Sequence, residues 1–417
     1  PLTAAIGGGR GADAAGGRGP MRRLLIALES ALAVVLVIGA ALLGRSFLEL
    51  SRIDLGFDSR NVLVGGLTVP AAAYPEPEDV GTFFRDLTDR VARLPGVRAA
   101  AAVRKVPLGE SIGSWTITLE EPLPDPDAQV EPDWQVVTPA YFDVMGLELR
   151  EGRFFEPGDR AGGHLVAVIS ETMARRVWPD GTALGRRFQL GTLNQPLAEI
   201  VGVAGDVRHN EVLEDARVEM YLLHDQWPEL RGGGGPIRTM SLAVRTDGDP
   251  LALMPAVRRE LAAIDPSIPL ADPRPMALVT GGALAEERFT AGVFGLFAGL
   301  ALALAAIGLY GVTAYTTSRR TNELGIRLAL GADGGQVARM VVREAVGIAG
   351  AGVIVGGFAA AWLTRFLSSQ LYGISPLDTG TFVAVPLGLV AVAGFAAYLP
   401  ARRAARIDPA LALRSER

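Results

Sequence analysis

The sequence predicts a membrane protein with four transmembrane α-helices, one ahead of and three behind a large α/β extracytoplasmic domain. That domain is expected to combine a split ferredoxin-like βαβ subdomain with an inserted mixed α/β subdomain. Three observations predict this. Residues 289–318, 345–364 and 379–401 contain no Asp, Glu, Lys or Arg, and residues 24–43 contain only Glu29; each run is long enough to cross a bilayer, which takes about 20 predominantly apolar residues. Charge is partitioned: residues 45–288 hold 25 Lys+Arg against 37 Asp+Glu, and the rest of the chain holds 15 against 8. Inside the acidic stretch, two segments repeat a strand–helix–strand order.

Residues 1–21 read as a flexible Gly- and Arg-rich cytoplasmic leader or linker, and residues 22–50 as the first span. Arg22 and Arg23 precede its apolar core, so the Glu29 carboxylate can pair there or reach the interface. A cleaved secretory signal fits the same features, although the run is longer than the usual core of about 7–15 residues. Topology is compatible with either.

Residues 51–285 form the extracytoplasmic domain, with the split subdomain at 60–108 and 237–275 and the insertion at 109–236. The first repeat has a strand at 61–69, a helix at 76–94 with Phe83, Phe84, Leu87, Val91 and Leu94 on one face, and a strand at 97–103. The second has a strand at 240–245, a helix at 250–264 with Leu253, Val257, Leu261 and Ile264 on one face, and a strand at 268–271. Proline and glycine near 95–96 and 265–266 mark the turns. The insertion carries apolar strands at 165–170 and 199–207, a helix capped by Ser170 and stopped by Pro179, and loops at 122–132 and 231–236. With no cysteine in the chain, disulfides and thiolate metal sites are excluded, so this domain holds by packing alone.

The remaining elements are spans at 286–318, 339–367 and 379–401, a loop at 319–338, a short periplasmic loop at 368–378 and a tail at 402–417. Basic residues concentrate in the leader, the 319–338 loop and the tail. The positive-inside rule puts all three in the cytoplasm, and the acidic domain outside. In the loop, Glu323 and Arg327 are four apart and face the same side of a helix that Gly331 would end, while Leu324, Ile326, Leu328 and Leu330 supply apolar surface. Spacing alone is compatible with a charged interfacial connector or with a coupling element. Gly295-x-x-x-Gly299 and Gly352-x-x-x-Gly356 offer small faces for packing between spans or protomers.

Enzymatic signals are sparse. The single lysine, Lys105, is followed by Val106, so the Gly-Lys-Ser/Thr phosphate loop of an ATPase is missing. His164, His209 and His224 show no metal-ligand spacing, and no α/β-hydrolase nucleophile is indicated. Asp206, Glu211, Glu214 and Asp215 near His209 read as solvated charge. No catalytic residue, metal or cofactor is therefore assigned, and no nucleic acid is expected among the partners. The scarcity of intramembrane charge argues against a conducting pore.

Three motifs in order, Thr138-Pro139-Ala140-Tyr141-Phe142-Asp143-Val144-Met145-Gly146-Leu147, Arg150-Glu151-Gly152-Arg153-Phe154-Phe155 and Val168-Ile169-Ser170-Glu171-Thr172-Met173-Ala174-Arg175-Arg176-Val177-Trp178-Pro179, resemble the periplasmic core of MacB/FtsX-type ABC permeases. The segment at 320–332 and the tail Pro400-Ala401-Arg402-Arg403-Ala404-Ala405-Arg406-Ile407-Asp408-Pro409 are similar to that family's cytoplasmic loop and C-terminus. The resemblance implies a permease subunit of the inner membrane with its large domain in the periplasm. It also implies that Arg320, Glu323, Gly325, Ile326, Arg327, Leu330 and Gly331 seat on a separate cytoplasmic ATPase of the MacB/LolD-like kind, so that nucleotide-driven closure moves the spans. Such mechanotransmission serves export or an envelope process. A partner in the periplasm also belongs to that expectation.

Residues 200–209, with Arg45-Ser46-Phe47 and Gly56-Phe57-Asp58, are similar to the duplicated orphan permeases called ADOP. This resemblance implies that the chain is the C-terminal half of a longer protein, its partner being the missing permease half or a second protomer. A complete four-span subunit starting at Met21 is the alternative. Two other functions stay open: an ATPase-independent receptor or scaffold, and a membrane-anchored hydrolase with its site in the insertion.

Overall fold

In the computed structural model, residues 18–121, 129–191, 195–330, 332–368 and 371–405 are described. Most of the leader, Gly331, most of the loop expected at 122–132, and the tail with Arg406, Arg414 and Arg417 lie outside the described residues. In chain order the elements are α1 (Arg18–Leu50), β1 (Val62–Thr68), α2 (Pro77–Ala92), β2 (Val97–Val103), β3 (Ile117–Leu119), β4 (Asp133–Val137), α3 (Tyr141–Met145), β5 (Leu149–Gly152), β6 (Val166–Ser170), α4 (Glu171–Val177), β7 (Arg187–Leu190), β8 (Ala198–Ala204), β9 (Glu219–Leu223), α5 (Trp227–Leu230), β10 (Thr239–Thr246), α6 (Met254–Ile264), β11 (Ala271–Pro275), α7 (Met276–Ala283), α8 (Ala285–Arg319), α9 (Thr321–Ala329), α10 (Gly334–Leu363) and α11 (Thr379–Ala404). They divide into two units, Ile53–Ala285, and Pro1–Arg52 with Glu286–Arg417.

In the α/β unit, alternate strand residues point to opposite faces, and each face is covered by a helix. The strands lie in the order β11-β1-β10-β2-β4-β9-β6-β8-β7-β3, with β5 paired to β8. The first four are antiparallel neighbours in the arrangement of a split ferredoxin-like unit. Phe84, Leu87 and Val91 of α2 and Val257 and Leu261 of α6 pack with Leu63, Leu67, Leu242 and Val244. On the other face Val62, Val64, Ala101 and Ala243 pack with Tyr141, Phe142 and Met145 of α3. Each large side chain buried in these layers contributes about 1.5–3 kcal/mol.

The insertion leaves after β2 and returns at β10, and those strands are paired with Val103 opposite Ser241. Its strands continue the same sheet through Val103 opposite Val137 and are mixed, with β4–β9 and β6–β8 parallel and β6–β9, β7–β8 and β3–β7 antiparallel. Ser170 caps α4 by accepting from the Met173 N–H. Trp134 stacks on Trp227 with centroids 4.8 Å apart, and Trp115 meets both edge-on.

Two expected elements shift. The strand expected at 268–271 is β11, Ala271–Pro275, while Ile268 and Leu270 turn into the core beside α2 and α6. Pro273 and Pro275 lack amide donors, which an edge strand tolerates, and the register slips between Val64 and Gly66 next to Asp272 at φ 44°. The helix expected from residue 250 starts instead with a 3₁₀ turn, Pro250–Leu253, before α6.

In the membrane unit, α1, α8, α10 and α11 are each long and apolar enough to cross a bilayer. α1 and α10 approach through glycine: a Cβ on Gly352 would stand 2.3 Å from the Ala27 carbonyl oxygen, and one on Gly356 2.5 Å from that of Ala31. No other residue permits that distance. Ala33, Val34, Ile38 and Leu42 of α1 share a buried cluster with Val353 and Ala360 of α10. α10 begins at Gly334, ahead of the span expected from 339, because the Asp333 side chain accepts from the Gly335 N–H and caps it.

Candidate coupling helix

α9 is short and almost continuous with α8. The Arg320 amide still bonds to the Thr316 and Thr317 carbonyls at 3.1 and 3.2 Å, and the Thr321 hydroxyl donates to the Ser318 carbonyl at 2.6 Å. One face of α9 is fastened to α10: Leu324, 1% exposed, clusters with Val337, and Met340 packs against them. Gly325 is buried as well.

The outer face is different. Ile326 is 48% exposed and Leu330 83% exposed; four residues apart, they share one side of the turn. The same short segment carries a chain of ionic contacts. Glu323 meets Arg327 at 2.9 Å and Arg320 at 3.9 Å, and Arg320 meets Glu344 of α10 at 2.9 Å. The other Glu344 oxygen meets Arg23 of α1 at 2.7 Å. All five groups are exposed, so each pair contributes about 0–1 kcal/mol and sets geometry more than stability.

The structure thus brings Arg320, Glu323, Ile326, Arg327 and Leu330 together on an exposed surface, buries Gly325 beneath it, and leaves Gly331 outside the described residues. Gly352 and Gly356 sit in the α1–α10 contact. Gly295 and Gly299 do not: apart from their own stretch of helix, no heavy atom of the described residues comes within 4 Å of where their Cβ atoms would stand, because they lie on the open side of α8. Sequence reading missed Glu344 and Arg23 as a link between α9 and α1. An acid beside Arg343 at the end of an apolar run was the available signal.

A polar cavity also occurs in the insertion, lined by Asp133, Arg208, His209, Asn210, Arg217 and Glu219 among others. Its free volume, about 10 Å³, suits one water and no organic substrate. Asp206 is not loose solvated charge: it accepts from the Thr172 amide and hydroxyl, each at 2.7 Å.

Residues 24–263 match the MacB-like periplasmic core domain, and residues 295–409 match the FtsX-like permease C-terminal region. The Macrolide export ATP-binding/permease protein MacB of Marinobacter nauticus is 26% identical over 270 residues, 64% of this chain and 40% of that protein. The chain therefore spans well under two thirds of that relative's length. The uncharacterized ABC transporter permease YknZ of Bacillus subtilis is 26% identical over 288 residues, 67% of this chain and 69% of that protein. Among solved structures, the periplasmic region of MacB from Actinobacillus actinomycetemcomitans superposes with a TM-score of 0.38 at 12% identity, over 57% of this chain and 98% of that one. With the MacB-like match alone covering more than half of it, the chain belongs to the MacB/FtsX-like ABC transporter permease family.

Proposed function

We propose that the chain is a permease subunit that couples a separate cytoplasmic ATPase to movement of its spans and of its periplasmic domain, in the inner membrane. The observation that carries this reading is the outer face of α9, where Ile326 and Leu330 stand exposed beside a chain of ion pairs. A lipid-facing ridge would lack the ion pairs, and a solvated connector would lack the apolar pair. Because Leu324 is locked to Val337 and Met340, a displacement of α9 is passed to α10, and through the glycine contact to α1. In this reading a second permease half, in the same polypeptide or as another protomer, completes the transporter.

The test is co-purification of the full chain from its own membranes in mild detergent. A P-loop ATPase is expected to accompany the wild type and to be lost from the double variant Ile326→Asp, Leu330→Asp at unchanged yield of the chain. Retention by the double variant rules out α9 as the docking element. No ATPase with the wild type favours the receptor or scaffold reading instead.

A further inference from the structure

A second feature of the membrane unit lies apart from α9's outer face. Between the Gly334 end of α10 and the Ala404 end of α11 runs a groove of about 980 Å³. Its wall is apolar along Val342 and Val346, with Tyr398 opposite, and Arg339, Arg343 and Arg402 stand at its mouth. At that end the two helices touch: a Cβ on Gly334 would stand 3.0 Å from the Ala405 carbonyl oxygen. Chain direction fixes the membrane side. α8 leaves the extracytoplasmic domain, so α8 and α11 end, and α10 begins, on the cytoplasmic face.

The charges at this mouth are unbalanced. Arg339 and Arg343 are four apart on one helix, a like-charge spacing that disfavours the helix unless an anion sits between them. Among the described residues neither meets a carboxylate, and neither does Arg402; Arg339 donates only to the Gly335 carbonyl at 3.3 Å. The nearby acid Glu344 is already engaged by Arg23 and Arg320. Guanidinium groups bind phosphate oxygens in pairs, and tyrosine at the interface lies along the start of an acyl chain.

We propose that this groove binds an anionic glycerophospholipid, with its phosphodiester between Arg339, Arg343 and Arg402 and an acyl chain along Val342, Val346 and Tyr398. Basic pockets between spans on the cytoplasmic side suit such headgroups, and here the apolar wall continues directly from the charged mouth. The site is independent of ATPase docking on α9.

Native mass spectrometry of the full chain, titrated in detergent with phosphatidylglycerol or with phosphatidylcholine of the same acyl chains, tests the proposal. Phosphatidylglycerol should be retained about tenfold more tightly. The double variant Arg343→Gln, Arg402→Gln should fall to the phosphatidylcholine level, and each single variant should lie between. Arg319→Gln, on the same face but outside the groove, should leave retention unchanged. Equal retention of the two lipids, or an equal loss in Arg319→Gln, overturns the site. Displacement by glycerol 3-phosphate at matched concentration overturns the acyl part and leaves a phosphate site. Retention that emerges only after residues 406–417 are removed makes a carboxylate of the chain's own tail, Asp408 or Glu416, the occupant, and overturns the lipid.

Discussion

The Gln135 side chain donates both amide hydrogens, one to the Lys105 carbonyl at 2.6 Å and one to His209 Nε2 at 2.9 Å. Nε2 must accept, so the neutral imidazole of His209 carries its proton on Nδ1, which lies 3.6 Å from Glu219 Oε1. Burial, helped by the positive charges of Arg104 and Lys105, pushes His209 down to about 3, and burial pushes Glu219 up to about 8. The signs are opposite. Glu219 has a raised folded pKa, so its contribution is fully present below the ordinary carboxylate range and is lost as pH climbs through about 8. His209 has a depressed one, so its contribution is present above the ordinary imidazole value and is lost as pH falls toward about 3. Glu219→Gln is therefore expected to melt like the wild type near pH 4 and higher by on the order of 5–10 °C near pH 8; a series of thermal melts across that range checks it. None of this pair was legible in the sequence. β9 is buried along its whole length, so alternation could not show that Glu219 turns inward, and His209 drew attention only to the acids adjacent to it in sequence.

At the scale of elements, glycine divides the spans into a packed pair and an open one. Gly356→Leu forces a side chain into the Ala31 backbone of α1 and should cost about 1–3 kcal/mol or more, read as a lower unfolding temperature of the detergent-solubilised chain. Gly295→Leu and Gly299→Leu enter open space and should leave that temperature within a degree or two of the wild type. Periodicity made most helices legible, including α9, because Glu323 and Arg327 announce their own pairing by spacing. It could not separate the two GxxxG faces, since the motif says that a helix can be approached, not from which side. β11 was misplaced for a related reason: Ile268 and Leu270 carry the strand-like apolarity but serve as core plugs, and the edge position that excuses Pro273 and Pro275 is a property of the whole sheet.

For the whole molecule, charge partition predicts the topology, and with no cysteine in the chain that expectation can be tested directly. In intact cells Ala262→Cys, on an exposed turn of α6, should react with a membrane-impermeant maleimide once past any outer envelope. Leu330→Cys should react only after the inner membrane is opened. The inverse pattern would overturn the assignment of α9 to the cytoplasm. Family membership was legible because long motifs such as residues 138–147 are structural: Tyr141, Phe142 and Met145 are the underside of the split sheet, so one core contact is written as a continuous string of sequence.

The pairing of Val62 with Arg245 has a consequence in time. β1 emerges early, yet its central partner β10 is made roughly 180 residues later, a wait on the order of ten to forty seconds at ordinary rates of synthesis. The insertion's β6, β8 and β9 are close in sequence and close their loops first. The insertion is therefore expected to be the nucleus of the nascent domain and the split sheet its last act, with an unpaired apolar strand tethered beside the membrane throughout the interval.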